Sequence, residues 1–236
     1  MYVKGAVING KRLWEDWGLR IEDCDIGPPE VNDVFVPVPG GKTLDLSEAN
    51  GPVSYKKREI HLELGAVKEK NAWRTFLSSF MNEYHGRKVE VIFDDDLAFY
   101  YIGRAYIKAD VERTARVGKF EMEIIAEPYK YEIQDSQEPW KWDSFNFCTG
   151  VIRYLGKVEI SQDRAQIIIP KGDMLTVPVF EVSRADRLKV LHGSKAYELR
   201  DGKNRYPQIK VGGASEVRLD FQGTGLVKVR YRGGSL

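Results

Sequence analysis

The residues able to do chemistry are few and scattered. Asp94-Asp95-Asp96 puts three carboxylates in a row. Hard cations want several oxygens, so the run reads either as part of a divalent-cation site or as a polar hairpin tip; no further ligands follow at the spacing of a calcium loop. His61, His85 and His192 are the only histidines, and they share no metal-ligand spacing. His85 precedes Gly86, which fits a last-turn residue interacting with a helix C-terminus. Gly223-Thr224-Gly225 is a lone Gly-x-Gly between apolar runs, read as a turn rather than a phosphate cradle. No nucleophile elbow, Walker A loop, His-Glu-x-x-His or Cys–His pairing is present. No catalytic residue, metal or cofactor is therefore expected, and the chain does not read as an enzyme.

Two features suit binding instead. Lys228, Arg230 and Arg232 alternate with Val227, Val229 and Tyr231, so one strand carries three cations on one face. Such a row suits phosphate, an anionic glycan or an acidic surface, and it equally suits the solvated face of an edge strand. Trp140, Trp142, Tyr197 and Tyr206 could stack on sugars or pack into a core. The second feature is Gly27–Gly41, where Pro28, Pro29, Pro37 and Pro39 disfavour a helix or central strand and favour an extended arm. Val34, Phe35, Val36 and Val38 of that arm are the candidate partner-interface residues, because so apolar a run among turn residues wants a neighbour to cover it.

The elements that must position these residues follow from periodicity. Trp73, Phe76, Leu77, Phe80, Met81 and Tyr84 share one face of a helix, with Asn71 as candidate N-cap and Gly86 just past the end. Arg58–Leu64, Lys88–Phe93, Phe99–Ala105 and Lys119–Glu127 alternate as strands. Strand, helix, hairpin and strand make an α+β module, mainly antiparallel, with its helix packed on one face of the sheet. The pattern breaks between Pro128 and Gly150, so the domains are expected at 1–135 and 136–236. Beyond the break, short β-runs recur: Lys157–Ile160, Gln166–Ile169, Thr176–Val182, Arg187–Leu191, Lys195–Leu199, Gln208–Val211, Glu216–Phe221 and Leu226–Tyr231. Separated by Gly and Asp/Asn turns, they read as an antiparallel sandwich or barrel.

Composition agrees with this division. The 236 residues are 42% apolar and 30% charged, which excludes collagen-like, coiled-coil and low-complexity classes. Residues 1–135 hold 19 Lys and Arg against 24 Asp and Glu, while residues 136–236 hold 17 against 11. A near-neutral whole thus hides an acidic first half and a basic second half. No apolar stretch approaches the ~20 residues of a membrane span, and Met1–Gly10 lacks the apolar core of a signal peptide. Cys24 and Cys148 are too few and too far apart for a disulfide framework or zinc motif, and they read as packing residues of a protein made in a reducing compartment.

The order of short motifs adds a resemblance. Ile8-Asn9-Gly10 and Trp17-Gly18-Leu19 are followed by Pro28-Pro29, Val38-Pro39-Gly40-Gly41 and Leu44-Asp45-Leu46. Tyr55 and Arg58 enter a strand, the Trp73 helix ends in His85-Gly86, and Tyr100-Tyr101-Ile102-Gly103-Arg104 and Pro128-Tyr129-Lys130 complete the first half. The chain closes on Gly225-Leu226-Val227 through Tyr231-Arg232-Gly233-Gly234-Ser235-Leu236. In this order the sequence resembles the distal tail protein family of long-flexible-tailed bacteriophages and their prophages. The resemblance implies a structural tail-tip protein whose first module forms a ring, usually a hexamer. That ring sits between the tail tube and the tail-associated or receptor-binding proteins, and the second module is a galectin-like sandwich outside it. It implies a place at the virion tail tip after synthesis in the bacterial cytoplasm, with no membrane and no sequence-specific nucleic acid as partner. The chain is too short to hold the inserted carbohydrate-binding modules of some relatives. A second function stays open at this point, a carbohydrate- or anionic-polymer-binding module contacting the host surface through the basic half.

Overall fold

The structure is a computed structural model that describes residues 5–49, 51–69, 71–113, 117–133, 158–161 and 165–236. The chain divides into two compact units, one running to Lys130 and the other spanning Tyr131–Ser235. Most of the pattern break between Pro128 and Gly150, with Trp140, Trp142 and Cys148, lies outside the described residues.

The first unit contains β1 (Ala6–Ile8), β2 (Lys11–Arg12), α1 (Leu13–Trp17), β3 (Arg20–Ile26), β4 (Phe35–Val36) and β5 (Leu44–Asp45). It continues with β6 (Arg58–Val67), α2 (Trp73–Tyr84), β7 (Lys88–Phe93), β8 (Phe99–Arg113) and β9 (Val117–Ala126). Its main sheet runs β2-β1-β7-β8-β9-β6-β3, with all six pairings along it antiparallel. The period of two decides which side chains turn inward. Ile60, Leu62 and Leu64 of β6 and Phe120, Met122 and Ile124 of β9 are buried. On α2, Trp73, Leu77, Phe80 and Tyr84 are buried against that face, while Phe76 and Met81 are half-buried at its margin.

The helix ends differ from the expected ones in one respect. Ala72, not Asn71, is the N-cap, and it makes no side-chain capping bond. At the other end His85 N–H donates to the Met81 carbonyl, and Gly86 follows at φ 72°. The sequence showed no period for α1, whose five residues are too few to display one. Gly18 closes it at φ 64°, donating to the Trp14 carbonyl at 2.8 Å. The turn aims Trp17 at α2, where its Nε1 donates to Tyr84 Oη at 3.0 Å and its ring meets Phe80 edge-on at 5.0 Å.

The second unit opens on β10 (Lys130–Glu132), which begins at the boundary, and holds β11 (Val158–Ile160), β12 (Ala165–Ile169) and β13 (Val179–His192). After these come β14 (Lys195–Glu198), β15 (Gly202–Arg205), β16 (Val217–Arg230) and β17 (Gly234–Ser235). Two expected pairs of strands are each one long strand. Thr176–Val182 and Arg187–Leu191 join as β13, with residues 176–178 left outside it, and Glu216–Phe221 and Leu226–Tyr231 join as β16. Gly223-Thr224-Gly225 is therefore not a chain reversal. Gln208–Val211 forms no strand, only a bridge between Val211 and Thr176.

The register of β13 on β16 shows why these strands are long. Phe180 pairs with Val229 and Phe221 with Val190. On a straight strand, the eight residues from Phe221 to Val229 would hold the two phenylalanines roughly 27 Å apart. Their rings lie 6.3 Å apart in an edge contact. The sheet must therefore fold over on itself, and it does so where the register shifts, between Ser183 and Lys189. Arg184 and Arg187 there have φ of 59° and 47°, facing Gly223 at 95° on the other strand. Ala185 N–H donates to Asp201 Oδ1 at 2.8 Å and tethers the bend. Bulges of this kind bend a ladder without ending it. Between the folded halves lies a core that includes Ile167, Ile169, Phe180, Val190, Phe221 and Val229.

Candidate functional site

The chain between β3 and β6 is a hairpin arm rather than a single extended segment. At its root Gly27 N–H donates to the Glu59 carbonyl and Lys56 N–H to the Glu30 carbonyl, at 3.1 and 2.8 Å. The Tyr55 ring meets Tyr129 edge-on at 5.9 Å. Val31 bridges Tyr55, and Asn32 N–H donates to the Ser54 carbonyl at 2.8 Å. Farther out Leu46 N–H donates to the Val34 carbonyl at 2.8 Å, and β4 pairs with β5. Pro37 has no N–H to donate and stands directly after β4, where the ladder stops. Ser47 donates to Asp45 Oδ1 from both its N–H and its Oγ, and these bonds hold the Asp45 carboxyl below its ordinary pKa.

The register sorts the apolar residues by face. Val36 stands across from Leu44, and Val34 is bonded to Leu46, so these four share one face. Phe35 stands across from Asp45 on the other. The structure thus brings Val34 and Val36 together and turns Phe35 away from them. It also adds Leu44 and Leu46, which pattern reading missed although the alternation Leu44-Asp45-Leu46 carried the signal. Val38 is 40% exposed beside the turn in which Gly41 N–H donates to its carbonyl. Val34, Val36, Leu44 and Leu46 are 46%, 41%, 52% and 40% exposed. Covering them would withdraw on the order of 200 Å² of apolar surface, worth ~5 kcal/mol at the usual coefficient. A two-stranded hairpin is marginal alone, so this face is where a partner would stabilise the arm most.

Most of the other candidates among the described residues are engaged in structural contacts. Asp94–Asp96 form the turn between β7 and β8, where Arg12 Nη1 lies 3.3 Å from Asp94 and Lys130 Nζ 2.7 Å from Asp96. Among the described residues no three His, Cys, Asp or Glu side chains are grouped to hold a metal ion. Changing Asp94–Asp96 to Asn is expected to cost about 1 kcal/mol or less per ion pair broken. Calcium or magnesium is expected to shift the melting temperature of parent and variant equally; a rise confined to the parent would restore the cation reading.

His85 Nδ1 accepts the Ile107 N–H at 3.0 Å, which ties the helix end to β8. His61 lies 3.5 Å from Glu59, and His192 pairs with Lys195 where β13 turns into β14. In the cation row, Arg230 lies 3.8 Å from Glu181, Lys228 pairs in register with Glu181, and Arg232 donates to the Glu132 and Ile133 carbonyls. Tyr197 and Tyr206 pack on each other at 4.9 Å, and the Tyr206 hydroxyl donates to the Glu198 carbonyl, so neither offers an open stacking platform. Burial, together with Asp95, Asp23 and Asp25, pushes the Cys24 thiol up to about 11. No helix among the described residues is long and apolar enough to cross a membrane.

No family model matches this chain, and no curated protein matches it. Among solved structures, the fold is similar to that of SPP1 Dit (gp 19.1), whose crystal structure is described as a paradigm of the hub adsorption apparatus in phages infecting Gram-positive bacteria. The TM-score is 0.63 at 12% identity, over 98% of this chain and 99% of that one. The likeness extends over both units, and at that identity it is a likeness of fold.

Proposed function

We propose that this protein is a structural component of a phage tail tip, a ring-forming hub that links the tail tube to the host-adsorption apparatus. The observation that carries the reading is the likeness of fold to a phage hub protein along almost the full length of both chains. A component at the end of a rotationally symmetric tube repeats around its axis, and the contact between copies is head-to-tail. The first unit forms the ring, of six copies, and its arm supplies one side of each contact through Val34, Val36, Val38, Leu44 and Leu46. Phe35, on the opposite face of the arm across from Asp45, stays outside that contact. The folded-over sheet of the second unit is the galectin-like module outside the ring. Partners are further copies of the chain, the tail tube and the tail-associated or receptor-binding proteins. No reaction is assigned to it.

Light scattering and negative-stain electron microscopy on the full-length protein test this. A closed ring of six copies is expected across a concentration series. Val36→Glu with Leu44→Glu places two charges on the arm's apolar face and should give a monomer with an unchanged melting profile, because both side chains are about half exposed in the isolated chain. A parent that stays monomeric at its highest soluble concentration would end the ring reading. A ring that survives the double variant would clear the arm of its role.

A further inference from the structure

A ring contact needs a second surface, different from the arm and on the far side of the same unit. The arm leaves the first unit where β3 ends and β6 begins. At the opposite end of these strands, about 30 Å away along the ten residues of β6, lies a shallow groove of about 380 Å³. Trp14, Arg20, Glu22, Ala66, Val67 and Val117 line it. Val67, at 71%, is the most exposed large apolar side chain among the described residues, and Trp14 and Val117 are 54% and 46% exposed. The Arg20 guanidinium lies 4.6 Å over the Trp14 ring. Lys68, also on the groove wall, donates to the Trp17 carbonyl at 3.1 Å.

We infer that this groove receives the arm of a second copy of the chain. The inference rests on the ring reading and names the surface that completes it. Two observations select the occupant. The first is chemical match. Beyond the Glu30–Lys56 ion pair the arm carries Asp33, Asp45 and Glu48 against Lys42, and its apolar face is uncovered. The groove offers uncovered apolar groups walled by two cations, Arg20 and Lys68, against one acid, Glu22. Apolar meets apolar, and the net charges are opposite. The second is placement. Arm and groove lie at opposite ends of shared strands, so one chain cannot seat its own arm there. A chain of such contacts can turn through a closed ring, because each copy gives an arm and takes one.

The test uses the full-length chain and substitutions at exposed positions. Trp14→Ala with Val67→Glu removes the apolar groups of the groove and adds a like charge facing the acidic arm. It is expected to raise the concentration for half-assembly by at least about 100-fold, with melting unchanged. Mixing this groove variant with the arm variant Val36→Glu/Leu44→Glu leaves one intact arm and one intact groove. The mixture is expected to give a 1:1 dimer by native mass spectrometry, while each variant alone is monomeric. If the parent forms rings and the groove variant forms them equally well, the groove is not the receiver, although the ring reading stands. If the groove variant is monomeric but the mixture gives no dimer, the pairing of arm with groove is overturned. A monomeric parent ends both readings together.

Discussion

Phe80→Ala is expected to destabilise the first unit by about 3–5 kcal/mol. The Phe80 ring is completely buried and touches Trp17, Phe76, Tyr84 and Phe120, with centroids between 4.8 and 6.2 Å. It therefore joins three elements, α1, α2 and β9, and alanine would leave a cavity that none of these rigid rings can fill without moving the others. Phe76 lies one helical turn earlier on the same face but is half-buried, so Phe76→Ala is expected to cost clearly less. Urea unfolding followed by near-ultraviolet circular dichroism measures both, since Trp17 and Tyr84 pack directly on Phe80. Equal losses for the two variants would show that the helix does not seat on the sheet through Phe80.

Gly223→Ala carries the largest expected effect in the second unit, at least about 3 kcal/mol. A Cβ at this position would stand 2.5 Å from the Arg187 carbonyl oxygen, 2.7 Å from its carbon and 2.8 Å from the Asp186 carbonyl oxygen. All three are backbone atoms of the bend in β13, so no rotamer change relieves the overlap. The φ of 95° adds strain of its own. Gly193→Ala is the matched control. Its φ is 60° and nothing lies within 4 Å of the added atom, so only the left-handed penalty of about 1–2 kcal/mol applies. Thermal unfolding of the full-length variants separates the two. Were Gly223→Ala no worse than Gly193→Ala, the close approach of β13 and β16 at the fold-over would be wrong.

These two residues mark how far pattern reading reaches. Phe80 was legible, because a helix repeats its face every 3.6 residues and Trp73, Leu77, Phe80 and Tyr84 obey that period without reference to anything else in the chain. Gly223 was legible only as a glycine between two apolar runs. The usual meaning of such a glycine is a reversal, and here it lets two strands bend together while their ladder continues. Asp94–Asp96 read as a turn or a cation site from their type alone. The partners that decide for the turn, Arg12 and Lys130, stand 82 and 34 residues away.

The alternation of β6, β7 and β9, the buried face of α2, the acidic and basic halves, and an apolar proline-rich segment in want of cover are all written in the order of residues. Each is a local property, written by side-chain period or composition within a few turns of chain. Tertiary structure alone decided the order in which seven strands lie side by side, because pairing joins residues remote in sequence and any alternating strand can pair with any other. It alone decided that the arm doubles back, setting Val34 and Val36 beside Leu44 and Leu46 and turning Phe35 to the other side. A shift of one residue in that register would exchange the two faces, and register is fixed by hydrogen bonds across the hairpin, which no single strand contains.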